Sequence, residues 1–257
     1  MRRYIYFVFL LCCAVNLLLT SCVRQKYVVM DMVHHNPGEA MTESKFLDPS
    51  FLKKNEYGAK VFFLFEAAQF GIDWKSFDPS LFPDTTEAGR WVAEKAEIIH
   101  KKYDAAKKED LQVYCMLDML VLPSLLVEKH RTELTNEQGK LDISKPYTQL
   151  CIRELMKEMF ETFPQLDGLV IRTGETYLHD APYYVGNHPV QNGMYDHITL
   201  INLLREEVCE RRNKKLFYRT WDMGQLHSIP KYYLSVTDSI EPHPNLYFSI
   251  KHTMTDF

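Results

Sequence analysis

The chain has 257 residues, with 30 Lys and Arg against 34 Asp and Glu, a net charge of −4. This balance argues against a general nucleic-acid binder, which carries a basic excess. Hydrophobic residues at 46% and charged residues at 25% exclude an intrinsically disordered chain, and six cysteines are too few for a disulfide scaffold.

The N-terminus opens on Arg2 and Arg3. An apolar run from Tyr4 to Leu19 follows, interrupted by Asn16, and then Leu19-Thr20-Ser21-Cys22. A basic start, an apolar stretch and small residues before a cut describe a secretory signal. The run is short for a bilayer span of about 20 residues, which weighs against a plain transmembrane anchor. Its Leu-Thr-Ser-Cys ending resembles the bacterial lipoprotein signal, in which the Cys becomes the lipidated first residue. That resemblance implies a signal peptide over 1–21 and a lipid anchor on Cys22. It implies a place in the bacterial cell envelope, on the inner or outer membrane, facing the periplasm or the cell surface. Cys12 and Cys13 would leave with the signal. Cys115 lies in a strand-like run, and Cys151 and Cys209 lie in helical patterns. None has metal-ligand spacing, so all three read as buried thiols.

Residues 22–56 are polar, hold Pro37, Gly38 and Pro49, and show no periodicity. They are expected to be a tether and lead-in segment. His34-His35 has no nearby third ligand and reads as solvated, so no metal site is expected.

From residue 57 to 257 a strand-then-helix rhythm sets in. Five apolar runs look like buried strands: Lys60–Phe65, Leu111–Leu117, Leu166–Ile171, Lys215–Arg219 and Asn245–Ile250. Over 86–108, Trp91, Val92, Ala96, Ile99, Tyr103 and Ala106 share one helical face, with lysines and Glu94 opposite. Over 149–164, Ile152, Leu155, Met156, Met159, Phe160 and Phe163 do the same until Pro164 stops the helix. Ile198, Ile201, Leu204 and Val208 predict a third helix over 196–212. Alternation of this kind argues for a parallel sheet, either a (β/α)8 TIM-type barrel or an open doubly wound sheet. No Gly-x-Gly-x-x-Gly and no Walker-type loop follows any strand. That favours the barrel, and it argues against a nucleotide or other cofactor.

In either architecture ligands meet the C-terminal strand ends. Those ends read Glu66 and Gln69, then Asp118, then Arg172-Thr-Gly-Glu175, then Arg219-Thr-Trp-Asp222, then Lys251-His-Thr-Met-Thr-Asp256. Each is polar or ionisable, and the last three pair a cation with a carboxylate. Arg172, Arg219 and Lys251 suit the carboxylate of an acidic sugar. Glu175 and Asp256 suit a carboxylate pair flanking a scissile bond. Trp221 and Asp222, with Asp118 and Glu66, complete a candidate rim, and Trp221 offers a face on which a sugar ring can stack. The 176–193 loop adds Tyr184 and His188 as candidate substrate contacts, in a stretch long enough to cover a site. Each pair taken alone reads equally as a structural ion pair at a strand end. The functional reading rests on five such ends coinciding.

Three segments in order, Leu166–Glu175, Tyr218–Trp221 and Tyr247–Phe257, resemble the catalytic barrel of the microbial α-glucuronidases, glycoside hydrolase family sixty-seven. The resemblance covers roughly residues 160–257. It implies a general acid at Glu175, part of a base system at Asp256, and cations for the uronate at Arg172 (a Lys in the family), Arg219 and Lys251. It implies inverting hydrolysis of an α-linked glucuronic acid from a plant-type polysaccharide fragment, without a cofactor. Glu175 would protonate the leaving oxygen, and Asp256 would activate water on the far face, the two about 6.5–9.5 Å apart. The family's Ser-Glu-Gly-Gln-Pro-Gly-Pro stretch is absent here. Arg172 and Glu175 stand three apart rather than four, and the family's N-terminal β domain has no counterpart before residue 60. Another sugar, or a non-catalytic glycan-binding lipoprotein, stays open as an alternative. Strand units recur about every 50 residues, so eight would need roughly 400, within the range of this fold. About five units are visible, and the expectation is an incomplete barrel, the N-terminal part of a larger hydrolase that is poorly active alone.

Overall fold

The computed structural model describes residues 29–31, 44–63, 66–174, 176, 178, 180–221 and 225–250. In chain order the strands are β1 (Met30–Asp31), β2 (Ala59–Phe62), β3 (Gln112–Asp118), β4 (Val121–Pro123), β5 (Gly168–Arg172), β6 (Tyr184–Gly186), β7 (Lys215–Arg219) and β8 (Leu246–Ser249). The helices are α1 (Pro49–Lys54), α2 (Glu87–Lys108), α3 (Ser124–Lys129), α4 (Arg131–Leu134), α5 (Pro146–Thr162), α6 (Met194–Leu204) and α7 (Pro230–Thr237). A π-helical turn, Arg205–Glu210, prolongs α6.

Six strands form one sheet in the order β1-β2-β3-β5-β7-β8, and every neighbouring pair is parallel. The spatial order is therefore the chain order. A doubly wound sheet reverses its strand order at a switch point, and no reversal occurs among these strands. Each of the five apolar runs overlaps a strand, Lys215–Arg219 to the residue. β4 and β6 pair antiparallel as a separate two-stranded ribbon. β6 falls inside the 176–193 segment expected to be a plain loop.

The 22–56 segment differs from its expectation as a tether. Met30 pairs with Ala59 as an edge strand and packs with Ala59 and Val61. Beyond it, Pro49 at the first turn and the Asp48 side chain accepting from Ser50 N start α1, whose Leu52 is buried. A fixed-φ proline and a capping carboxylate are strong local helix starters, which outweigh the polar composition.

Alternation along the strands gives the sheet two unlike faces. Phe62, Val113, Cys115, Leu117, Leu169, Ile171, Leu216 and Tyr218 point into one large core. The buried apolar residues of all seven helices lie in that same core, so the helices cover one face. α2 contributes Val92, Ile99 and Tyr103, and α5 contributes Ile152, Leu155, Met156 and Met159, the faces that the 3.6-residue period marks. Fully burying each such side chain contributes about 1.5–3 kcal/mol. α2 begins where Thr86 Oγ1 accepts from Gly89 N at 3.0 Å. Glu87 in its first turn and Lys107 and Lys108 in its last complement the helix dipole.

The opposite face carries a second, smaller cluster: Ala59, Val61, Tyr114, Met116 and Val170, with Phe63 and Phe217 against it. Gly168 permits β5 and β7 to approach here. A Cβ at this position would lie 2.1 Å from Lys215 O. Asp118, Arg172 and Arg219 belong to this second face by alternation, at its C-terminal edge.

Candidate active site

The edge is organised around one ion pair. Asp118 ends β3 and Arg172 ends β5, and the two are register partners. Arg172 Nε donates to Asp118 Oδ1 at 2.5 Å and Nη2 to Oδ2 at 2.7 Å, a forked pair. Both residues are buried, at 7% and 8% exposure. Arg219 ends β7, one strand further on, and its Nη1 lies 3.4 Å from Met116 Sδ on β3. Its guanidinium thus reaches back across β5, over the same face and one turn of alternation below Asp118. Thr173 Oγ1 donates to Trp221 O at 3.4 Å, lacing the ends of β5 and β7 together. The Trp221 ring packs at 4.6 Å from the His227 ring.

Gln69 joins the cluster from the β2 side, in the 3-10 turn Ala68–Gly71. With Phe63, Ala67, Phe70, Met116, Asp118 and Arg172 it lines a cavity of about 10 Å³, room for one water-sized atom.

Other expected residues lie elsewhere. Glu66 turns to the helical side: its carboxylate pairs with Lys102 of α2, and its carbonyl accepts from Tyr103 Oη at 2.9 Å. Lys102 stands on the exposed face of α2 and takes the carboxylate to the helical side of the sheet. Tyr184 is a core residue, its ring packed on Phe70 and Phe82 and its hydroxyl donating to Gln69 O at 3.3 Å. Burial pushes the Tyr184 phenol well up from its ordinary range. His188 is half-buried in a turn, where its Nδ1 accepts from Val190 N at 2.9 Å. The structure therefore brings together Asp118, Arg172 and Arg219, places Trp221 beside them in sequence and by the Thr173 bond, and takes Glu66 and Tyr184 away from the cavity as substrate contacts. Glu175, Asp222, Lys251, Asp256 and Cys22 lie outside the described residues.

Among the described residues no group of three or more His, Cys, Asp or Glu is disposed to hold a metal ion. No helix of these residues is long and apolar enough to cross a membrane. Cys115, Cys151 and Cys209 are free and buried, and burial pushes the Cys115 thiol up to about 12.

No family model matches the chain, and no curated protein matches it. Solved structures do align with it. A maltogenic α-amylase, AmyB from Thermotoga neapolitana, aligns at TM-score 0.43 and 13% identity over 80% of this chain and 46% of its own. A GH138 enzyme targeting pectin rhamnogalacturonan II aligns at TM-score 0.45 and 15% identity, over 87% of this chain and 25% of its own. A glycoside hydrolase family 5 enzyme from Prevotella bryantii B14 aligns at TM-score 0.45 and 9% identity, over 89% and 64%. The chain spans between a quarter and just under two thirds of the lengths of these three. The class defined here therefore rests on the chain's own topology: an α/β protein with a parallel sheet in chain order, helices on one face, and an Arg-rich polar edge at the C-terminal ends of its strands.

Proposed function

We propose that this chain belongs to a (β/α)8-type glycoside hydrolase acting on an acidic glycan, with an inverting α-glucuronidase-like reaction. The observation that carries the reading is the convergence of Arg172 and Arg219 on one face at the C-terminal strand ends. Parallel strands in chain order, with helices on one side and an apolar second face, fit one wall of a barrel, and catalytic groups of barrels come from those ends. Asp118 offsets the charge of Arg172, and Arg219 beside that pair is the type of group that suits a uronate carboxylate. Glu175 follows Arg172 by three residues, where a general acid would meet the same substrate. In this mechanism Glu175 gives its proton to the leaving glycosidic oxygen. Asp256 takes a proton from the attacking water, and Arg219, Lys251 and the Asp118–Arg172 pair orient the uronate. Asp222 and Trp221 line the sugar's other side. The resemblance of the N-terminus to a lipoprotein signal supports a tether through Cys22 to the cell envelope, where polysaccharide fragments would be met.

The test is incubation of the purified chain, and of any longer natural form, with glucuronoxylan oligosaccharides, reading free uronic acid. Release that Glu175→Gln abolishes while binding persists is the expected result. Binding without release by both forms would replace the hydrolase with a glycan-binding lipoprotein. Neither binding nor release would refute the reading.

A further inference from the structure

Two successive rows of the sheet's second face differ in kind. Register sets Met116 beside Val170, Val170 beside Phe217 and Phe217 beside Tyr247, an apolar row across four strands. Two residues further along each strand the row is polar throughout. Asp118 pairs with Arg172, and Arg219 pairs with Ser249. Arg172 and Arg219 each stand one residue past the Ile171–Tyr218 pair. The four residues therefore form one line at the C-terminal ends of β3, β5, β7 and β8, the place where a parallel α/β fold meets its ligands.

The neighbours of Ser249 fix the face on which it lies. Tyr247 stacks on Phe217 with ring centroids 4.9 Å apart, and Phe217 packs with the second-face cluster. Phe248 turns the other way, to Tyr218 and Tyr233. Alternation returns Ser249 to the second face. Its backbone is tied to β7, since Ser249 O accepts from Thr220 N at 3.0 Å and from Thr220 Oγ1 at 3.4 Å. Neither bond uses its hydroxyl. That hydroxyl is not enclosed by its neighbours either, for Ser249 is half-buried at an open strand end.

Arg219 leans away from Ser249. Its Nη1 reaches Met116 Sδ on β3, which carries the guanidinium over β5. Neighbouring strands stand about 4.8 Å apart, so the guanidinium and Ser249 are separated by two spacings, roughly 10 Å. A pyranose with a hydrogen bond at each end fills that span. We infer that Ser249 is a further substrate-binding residue, its hydroxyl bonding one ring hydroxyl of a sugar laid across the ends of β7 and β8, with the sugar's carboxylate toward Arg219. A serine hydroxyl both donates and accepts, as a sugar hydroxyl does. The inference rests on the glycan reading above and deepens it, since it fixes the direction in which the uronate lies along the polar row.

Calorimetric titration with glucuronoxylan oligosaccharides is made on the full chain and on Ser249→Ala, Ser249→Val and Ser249→Thr, with thermal unfolding of each. Val and Thr have nearly the same shape, and only Thr keeps the hydroxyl. The expected result is about a three- to tenfold loss of affinity in Ser249→Ala and Ser249→Val, affinity within about twofold of wild type in Ser249→Thr, and an unchanged Tm in Ser249→Ala. Unchanged affinity in the Ala and Val variants overturns the proposal and leaves the glycan reading standing. Equal losses in the Val and Thr variants overturn it as well, because shape and not the hydroxyl then decides. A lowered Tm in Ser249→Ala overturns it by assigning the hydroxyl to the fold. Should a branched variant fail to fold, Ser249→Ala carries the comparison. A wild-type chain that does not bind the oligosaccharides at all overturns the proposal together with the reading on which it rests.

Discussion

Arg172→Met is the most informative single perturbation of the edge. Its guanidinium holds Asp118 through two bonds, at 2.5 and 2.7 Å, and both residues are less than a tenth exposed. Removing one partner of a buried pair costs about 3–5 kcal/mol. For a chain near this length, about 2–4 °C of Tm accompanies each kcal/mol, so a loss of about 6–20 °C is expected. Asp118→Leu should cost a similar amount. The double variant should recover most of the loss, since neither charge then stands alone in a low-dielectric setting. Urea unfolding followed by circular dichroism on the four proteins gives the coupling energy directly. A single-variant cost below about 1 kcal/mol, or a double variant showing the simple sum, would refute a buried pair as the organiser of this edge.

Three further outcomes follow from particular contacts. Gly168→Ala sets a Cβ against backbone, at 2.1 Å from Lys215 O, so it should destabilise by at least about 1–3 kcal/mol; an unchanged Tm would contradict the close β5–β7 approach. Asp78 is held down to about 2 by bonds from Ser80 and Lys129. A depressed folded value stabilises above the ordinary 3.8 and is lost as pH falls from there toward 2, so Asp78→Asn should cost about 1 kcal/mol near neutral pH, with the cost shrinking through that acid window. A cost independent of pH would sink this assignment. Burial raises Cys115 and Cys151 to about 12 and Cys209 to about 11. Alkylation at about pH 8 should therefore leave these three unmodified in the native chain and label them in urea; peptide mapping that finds them labelled without denaturant would refute their burial.

The periodic parts of the fold were legible before any coordinates. Lys215–Arg219 is a strand because its apolar run is short and bounded, and α2 and α5 bury the faces their spacing marks. What stayed hidden has local causes. β1 is two residues long and owes its existence to Met30 packing on Ala59 and Val61, a contact no periodicity announces. β6 is three residues long and exists because Tyr184 is drawn into an aromatic core, so a residue that reads as a loop contact becomes a structural anchor. At the edge, alternation alone placed Asp118, Arg172 and Arg219 on one face. It gave no hint that Lys102 would take Glu66 to the other side, because that pairing depends on where α2 crosses the sheet. Gln69 was visible at a strand end, but its burial with an unpartnered Oε1 is a matter of packing that no spacing announces.

The two arginines of the edge divide the work by burial. Arg172 is enclosed and its fork grips Asp118, so it contributes order as well as charge. Arg219 is half-buried, touches a thioether rather than a second carboxylate at its Nη1, and stands on the last strand but one, toward solvent. A guanidinium forked onto a buried carboxylate is held in two directions at once, so Arg172 ties the end of β5 to that of β3. Arg219 reaches from β7 over β5 to β3, so the two arginines bridge the same three strand ends.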